Sequence, residues 1–353
     1  MTELELRLEA FVKLGSFFRE FCEFSKNSDH KSESVDEWFL EMDETIALAG
    51  HKNGWFIKEN ILFSLEKWGN LLTKENLMNW LSEYNIDQNK PKTVALIMAG
   101  NIPLVGFHDF MVTILTGNKA LIKLSSNDNV LLPFIIKYIT EVTPTLKNEI
   151  IVTDGKMVGF DVVVATGSDN TARYFEHYFG NKPNIIRRNR NSLAVLTGNE
   201  TTEELQALGE DIFRYYGLGC RSVSKLYVPQ NYDFTPFFEA IFSFSNIINQ
   251  VKYANNYDYN KAVYLMSEYK LRDNGFLMLK EDESYSSPIA TVFYEFYESL
   301  QELKLKLEAE KEKIQCIVGN GIVPEEISFG QTQNPSLSDY ADGVDTVEFL
   351  INA

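Results

Sequence analysis

The sequence predicts an α/β fold built on a doubly wound parallel sheet, and three observations predict it. From Thr93 onward, short and mostly apolar runs of the kind buried on both faces of a sheet recur at Val94–Ala99, Ala120–Leu124, Glu149–Val152 and Phe160–Ala165. Segments with helical spacing separate them, and a strand–helix alternation requires parallel strands joined by crossover helices. The first two runs lead into Gly100 and Ser125 and the last into Thr166-Gly167-Ser168, and ligand sites of such sheets collect outside the carboxyl ends of the strands.

Residues 1–88 read as helices only. Leu4, Leu6, Leu8, Phe11, Val12 and Leu14 recur at helical spacing, as do Ile61, Leu62, Leu65 and Trp68. Asn53-Gly54 breaks two of these helices, and Asn89–Lys92 is a polar boundary containing a proline. After the first strand, Gly106–Thr116 is a helix with Gly117-Asn118 as its C-cap. Ser125–Asp128 offers N-cap residues for a helix through Tyr138. Thr166–Ser168 then leads into a helix from Asp169. Ser192–Leu196 is strand-like, Thr201–Glu204 caps a helix to Tyr216, and Val223–Val228 is the next strand. Phe234–Ile248 reads as a helix, Asn255–Asn260 as a polar loop, Leu300–Lys313 as a solvated helix and Ile314–Val318 as a buried strand. Asp345–Ile351 alternates enough for an edge strand, one suited to pairing with another subunit.

Composition narrows the function classes. With 353 residues, 44% of them apolar, the chain has enough material for two α/β domains, and 25 Phe and 17 Tyr argue against disorder. A formal net charge of -17 repels phosphate backbones and anionic bilayers, which disfavours nucleic acid and membrane surfaces as partners. Three cysteines, at 22, 220 and 316, are too few and too scattered for a disulfide framework. The absence of a basic, apolar leader and of any bilayer-spanning apolar run leads to the expectation of a cytoplasmic protein without membrane insertion.

Four features carry chemistry. Cys220 follows a helix inside Gly217-x-Gly219-Cys, where glycines let a ligand approach the backbone, and Arg221 and Lys225 stand near it in sequence to favour a thiolate. A lone cysteine is otherwise a small buried apolar residue, the reading that suits Cys22 and Cys316. Ala99–Pro103 places Asn101 at a strand end, either as a carboxamide donor to an oxyanion or as part of an ordinary turn. Lys123 closes a strand, as a donor to nucleotide hydroxyls or as a solvated residue. Thr166–Ser168 resembles a short phosphate-side loop at a helix N-terminus.

Their order and spacing, strand–Gly-Asn-x-Pro, Gly-Asn-x-x-Leu-x-Lys-x-Ser, Thr-Gly-Ser and Gly-x-x-Cys, resemble the aldehyde dehydrogenase superfamily. Within it the chain is similar to the bacterial luminescence-type acyl-CoA reductases, on Gly100–Gly106, Pro183–Leu196, Gly219–Val228 and Phe329–Asp345, over roughly residues 90–350. The resemblance implies a Rossmann-like cofactor domain and a smaller α/β catalytic domain with the active site in the cleft. It makes Cys220 the nucleophile and Asn101, with the Cys220 backbone N–H, the oxyanion hole. Lys123 would hold the adenosine ribose, Gly167 and Ser168 would approach the pyrophosphate or nicotinamide, and Glu283 would grip the nicotinamide ribose, although reaching Pro288 takes one residue more than the family pattern.

Two departures set the direction of the chemistry and the cofactor. Where aldehyde oxidisers carry a glutamate base, this chain has Arg187–Arg190, and without a base to activate water a thioester survives until hydride or a thiol reaches it. Ser126 aligns where NAD-preferring relatives place a glutamate, and removing that carboxylate removes repulsion of a 2′-phosphate, so NADPH is expected ahead of NADH. Arg187, Arg188 and Arg190 are either phosphate donors for coenzyme A or, as the favoured reading, partners of surplus carboxylates. Asp339, Asp342 and Asp345 read as caps and turns rather than a calcium loop. His30, His51, His108 and His177 lack metal-ligand spacing, so no metal is expected, and His108 reads as structural or as facing the site.

The expected organisation is a helical N-terminal region and nucleotide-binding domain over 1–197, a catalytic cysteine domain over 198–325, and a C-terminal segment over 326–353 that packs back and offers an oligomerisation strand. The expected activity is NADPH-dependent reduction of a fatty acyl-CoA to the aldehyde through a Cys220 thioester. An aldehyde oxidiser, a cysteine acyltransferase without nicotinamide and a catalytically dead binding subunit stay open. Acyl-CoA is the expected substrate, homo-oligomers are expected, and an acyl-donor ligase or carrier protein is a candidate partner.

Overall fold

At Thr93 the chain exchanges helix for strand because the runs that follow are covered on both faces. The computed structural model describes residues 2–27, 36–167 and 169–353. The chain divides into two compact units, Met1–Arg188 with Ser336–Ala353, and Asn189–Pro335.

In the first unit α1 (Glu3–Lys26), α2 (Glu37–Lys52), α3 (Lys58–Leu71) and α4 (Lys74–Leu81) precede β1 (Thr93–Ile97). There follow α5 (Phe107–Leu115), β2 (Lys119–Lys123), α6 (Leu131–Val142), β3 (Ile150–Val152), β4 (Val162–Thr166), α7 (Asp169–Phe179) and β5 (Asn184–Arg187). The strands form a sheet in the order β3-β2-β1-β4-β5, with every neighbour parallel. The helical first quarter has a packing role. α1 starts on a capping box, with Glu5 N–H donating to Thr2 Oγ1 at 3.1 Å and Thr2 N–H to Glu5 Oε2 at 2.7 Å. On its buried face, Phe11, Phe17 and Phe18 pack rings against Phe107 and Phe110 of α5 and Phe134 and Tyr138 of α6, and Phe21 packs against Phe39 of α2. Cys22 lies on that same buried face.

In the second unit β6 (Asn191–Val195), α8 (Thr202–Phe213), β7 (Val223–Pro229), α9 (Thr235–Ala240) and α10 (Val251–Met266) come first. β8 (Leu271–Asp273), β9 (Met278–Glu281), β10 (Thr291–Tyr297), α11 (Leu300–Ala309) and β11 (Ile314–Val318) complete it. Its sheet runs β11-β6-β7-β10-β9-β8, parallel except for the β8–β9 pair. α12 (Thr346–Asn352) belongs to the first unit.

The α/β expectation holds, and four local expectations change. β6, read within the 1–197 region, pairs with β7 and β11, because its buried face needs neighbours of the second sheet. Asp345–Ile351 is not an edge strand but α12, capped by Asp345 Oδ1 accepting Glu348 N–H at 2.9 Å. Val347 and Leu350 are buried at helical spacing, and Lys92 Nζ donates to the Leu350 carbonyl at 3.1 Å. Asn255–Asn260 is helical, inside α10, because its core face is made of polar-headed residues. Tyr253 donates to Phe276 O at 3.0 Å, Tyr257 to Asp273 Oδ1 at 2.7 Å and Asn260 to Ile289 O at 3.0 Å. Phe234–Ile248 is α9 followed by a 3₁₀ segment, Ile241–Asn249.

Candidate active site

The nucleophile expected at Cys220 sits on a turn that tertiary contacts hold. α8 ends at Phe213, and the chain then passes three left-handed residues, Tyr215 (φ 55°), Tyr216 (φ 60°) and Gly217 (φ 74°). Two consecutive non-glycine residues in that region cost on the order of 1–3 kcal/mol each, and the burial of both rings holds them there. Cys220 is exposed, whereas Cys22 and Cys316 are buried, and none is in a disulfide. The Cys220 carbonyl accepts from Ser192 Oγ of β6 at 2.9 Å, and Ser222 N–H donates to Gly219 O at 3.0 Å. Arg221 Nε donates to the Thr332 carbonyl. Thr332 is in turn clamped by Asp211 of α8, whose carboxylate accepts Thr332 N–H at 2.9 Å, Thr332 Oγ1–H at 2.8 Å and Gly330 N–H at 2.6 Å. Burial pushes the Asp211 carboxyl upward, and these donors oppose the shift. Ser192, Asp211 and Thr332 were not singled out as functional from the sequence. The one signal was an acidic residue on the apolar face of an amphipathic helix.

Lys225 does not serve the thiolate, as its proximity in sequence suggested. Its side chain is fully buried, and Nζ donates to Asp282 O at 3.1 Å, Glu283 O at 2.8 Å and Glu295 Oε2 at 2.7 Å. An ammonium has three donors, and all three are used. Glu283 itself is exposed, in the turn after β9.

In the first unit the remaining expected residues emerge at the carboxyl edge of one sheet. Register aligns Ile97 of β1 with Lys123 of β2 on one side and Ala165 of β4 on the other. Asn101 follows β1, Ser126 lies in the turn after β2, and Gly167 follows β4. Asn101, Lys123 and Ser126 are exposed. β1 is the strand at which the chain order reverses, the switch point where open α/β sheets bind ligands. Gly100 is required there, because a Cβ would stand 2.7 Å from Ser125 Cβ and 2.9 Å from Asp128 N. Ser168 lies outside the described residues, as does His30.

Asp128 ties the turns after β1 and β2 together. Its Oδ2 accepts the N–H of Leu104, a residue at φ 58°, at 3.3 Å. Its Oδ1 is buried with no hydrogen-bond partner. Burial pushes the carboxyl up to about 6, against the pull of backbone N–H groups at Leu104, Leu131 and Val130. A folded pKa above the unfolded value of 3.8 means that the native state binds the proton more tightly. The stabilising contribution of Asp128 is therefore full below about pH 4 and is lost as pH rises through about 6. Asp128→Asn is expected to flatten that slope and to gain up to ~3 kcal/mol near pH 7, read by denaturant unfolding across pH 4–7. An unchanged slope in the variant would exclude Asp128 as its source.

The other chemistry-bearing residues have structural roles. Arg187 is buried and forms a two-pronged pair with Asp109, its Nη2 reaching Asp109 Oδ1 at 2.7 Å and Thr346 Oγ1 at 3.1 Å. Arg188 pairs with Glu176 at the surface. Both follow the carboxylate-partner reading. His108 is half-buried among Trp68, Trp80 and Tyr340, with Nε2–H donating to Leu337 O at 3.0 Å, and desolvation pushes its pKa down. Asp339 Oδ2 accepts Ser336 N–H at 2.6 Å, and Asp342 occupies a turn at φ 60°. Among the described residues no group of three His, Cys, Asp or Glu is placed to hold a metal, and no helix is long and apolar enough to cross a membrane.

Solved structures of aldehyde dehydrogenases share this fold. Aldehyde dehydrogenase 21 from Physcomitrella patens, in complex with the reaction product succinate, matches with a TM-score of 0.68 at 11% identity, over 100% of this chain and 84% of that one. The aldehyde dehydrogenase KauB from Pseudomonas aeruginosa matches with a TM-score of 0.65 at 13% identity, over 90% and 72%. The NAD+ complex of an aldehyde dehydrogenase from Bacillus cereus matches with a TM-score of 0.60 at 14% identity, over 90% and 72%. No curated protein is significantly similar in sequence. The sequence model of the acyl-CoA reductase (LuxC) family matches residues 40–272, a span that takes in the turns after β1, β2 and β4 and the whole Cys220 turn. The chain belongs to the acyl-CoA reductase (LuxC) family, an oxidoreductase of acyl and aldehyde groups on the aldehyde-dehydrogenase fold.

Proposed function

We propose that this acyl-CoA reductase works with NADPH, in the cytoplasm, through a thioester on Cys220. The observation that carries the reading is the exposed Cys220 thiol on a turn anchored by Ser192, Thr332 and Asp211, within the span matched by the family. Cys220 Sγ attacks the acyl-CoA carbonyl as a thiolate, and the oxyanion accepts hydrogen bonds from the Asn101 carboxamide and the Cys220 N–H. The tetrahedral adduct expels coenzyme A as a thiolate, which takes up a proton, and leaves a thioester on Cys220.

The strand-end residues fit a dinucleotide. The exposed side chains at the ends of β1 and β2 and in the turns after them, Asn101, Lys123, Ser126, Asn127 and Asn129, include no carboxylate to repel a phosphate. Lys123, Ser126, Gly167 and Ser168 would hold the nucleotide, and Glu283 its nicotinamide ribose. A reduced nicotinamide bound there would supply hydride to the thioester carbonyl. Cys220 would then leave the tetrahedral centre as the thiolate as the oxyanion closes to the aldehyde carbonyl, which restores the nucleophile.

Reduction is favoured over oxidation to an acid by what replaces the base. Arg187 fills that stretch and is spent on Asp109, so it activates no water. Ser126→Glu is expected to shift the NADPH/NADH ratio of kcat/KM toward NADH by on the order of tenfold or more, since one repulsive contact of about 1.4 kcal/mol suffices. An unchanged ratio would remove Ser126 from cofactor choice.

The deciding experiment follows NADPH consumption by the purified protein across acyl-CoA chain lengths. Consumption that depends on acyl-CoA and yields aldehyde supports the reading and reports chain-length preference. Tight nucleotide binding without consumption would move the acyl donor to a carrier protein or ligase partner. Absence of nucleotide binding would overturn the reading.

A further inference from the structure

We propose that Lys225 is a positioning residue for the cofactor side of the reaction, holding the turn that presents Glu283. The proposal rests on the reading of Glu283 as the carboxylate that grips the nicotinamide ribose. β7 is a central strand, paired with β6 through Leu193 and with β10 through Phe293 at the level of Lys225. A leucine would suit such a buried position, and burying an ammonium costs several kcal/mol unless it is well satisfied. Its carboxylate partner Glu295 is already paired with Lys306, so ion pairing alone does not explain the lysine.

What the ammonium does is grip two successive carbonyls, Asp282 O at 3.1 Å and Glu283 O at 2.8 Å. The rings of Tyr227 and Tyr285 stand 4.9 and 5.1 Å from Nζ and close the space around it. The same turn is braced by Asp282, which pairs with Lys280 and accepts Ser284 N–H at 2.9 Å. With both carbonyls drawn inward, the Glu283 side chain is left on the exposed side of the turn. Lys225 also stands five positions after Cys220, so the strand that follows the nucleophile turn sets the height of the Glu283 turn.

The test is a double-mutant cycle of Lys225→Met and Glu283→Gln, with steady-state constants for NADPH and acyl-CoA. Each variant is expected to raise the NADPH KM by about tenfold, leaving the acyl-CoA KM and the rate of Cys220 alkylation unchanged, and the double variant to add nothing further. Glu295→Gln keeps the carbonyl contacts and is expected to leave the NADPH KM within about twofold. A Glu295→Gln loss equal to that of Lys225→Met would overturn the proposal, since the ion pair would then be the cause. So would an unchanged NADPH KM in folded Lys225→Met, or additive effects in the double variant. An unchanged NADPH KM in Glu283→Gln would instead overturn the Glu283 reading, and this proposal with it. Should Lys225→Met fail to fold, Lys225→Arg carries the same cycle. A guanidinium cannot occupy an ammonium's place without moving the turn, so a shifted KM that Glu283→Gln absorbs supports the proposal, and an unchanged one overturns it.

Discussion

Cys220→Ala is expected to abolish aldehyde formation, with turnover falling by on the order of 10⁵ or more, while nucleotide affinity stays within about twofold. The size of the loss follows from the mechanism, because without the thiolate no covalent intermediate forms. The retention of binding follows from the structure. The turn is anchored by the Cys220 carbonyl, by Arg221 on Thr332 and by Ser222 N–H on Gly219, and a methyl in place of the thiol keeps all three. Joint loss of turnover and nucleotide affinity would show that the substitution disrupted the unit instead. A thiol-directed reagent supplies the independent check. Cys22 is buried and its thiol is pushed up to about 11, and Cys316 is buried, so alkylation near pH 8 is expected at Cys220 alone. Prior incubation with acyl-CoA should protect it, and unprotected labelling would argue against the thioester.

Asn101→Ala is expected to lower kcat by on the order of 10²–10³, with little change in the KM for acyl-CoA. The carboxamide is asked to act on charge that develops only in the tetrahedral adduct, so its removal should not weaken the ground-state complex. The turn that carries it is tightly constrained, since Gly100 leaves no room for a Cβ and Asp128 holds the left-handed Leu104. A drop of less than about tenfold would take Asn101 out of the oxyanion hole. The Asp128→Asn variant is a useful companion, because it keeps an acceptor for Leu104 N–H and should leave kcat near the wild-type value.

Where local pattern and fold part, tertiary contacts decide. Asn255–Asn260 looked like a loop because propensity counts asparagine and tyrosine as poor helix residues. In α10 their polar heads are satisfied by Phe276, Asp273 and Ile289, so the helix forms with a core face that hydropathy does not see. The tail looked like a strand because seven residues alternate nearly as well as they repeat at helical spacing. A cap at Asp345 and burial of Val347 and Leu350 decide between the two. Arg187 belongs to a basic cluster suited either to phosphate or to carboxylate partners, and its buried partner Asp109, 78 residues earlier, bears out the carboxylate reading.

The sequence by itself determined the fold class and the strand-end positions of Asn101, Lys123 and Gly167, and it set Cys220, in a glycine turn, apart from Cys22 and Cys316, which are buried. These are local properties: a run of apolar residues closed by a glycine or a polar turn places the residue after it at a sheet edge wherever the sheet lies. The tertiary structure alone decided what holds those residues still. Ser192 reaches Cys220 across 28 positions and Thr332 reaches Arg221 across 111, because parallel strands and returning loops bring together segments that no periodicity relates. It also decided that Lys225 serves the Glu283 turn, since a side chain's partner is set by the strand beside it and the space it is buried in, not by the residues next to it in the chain.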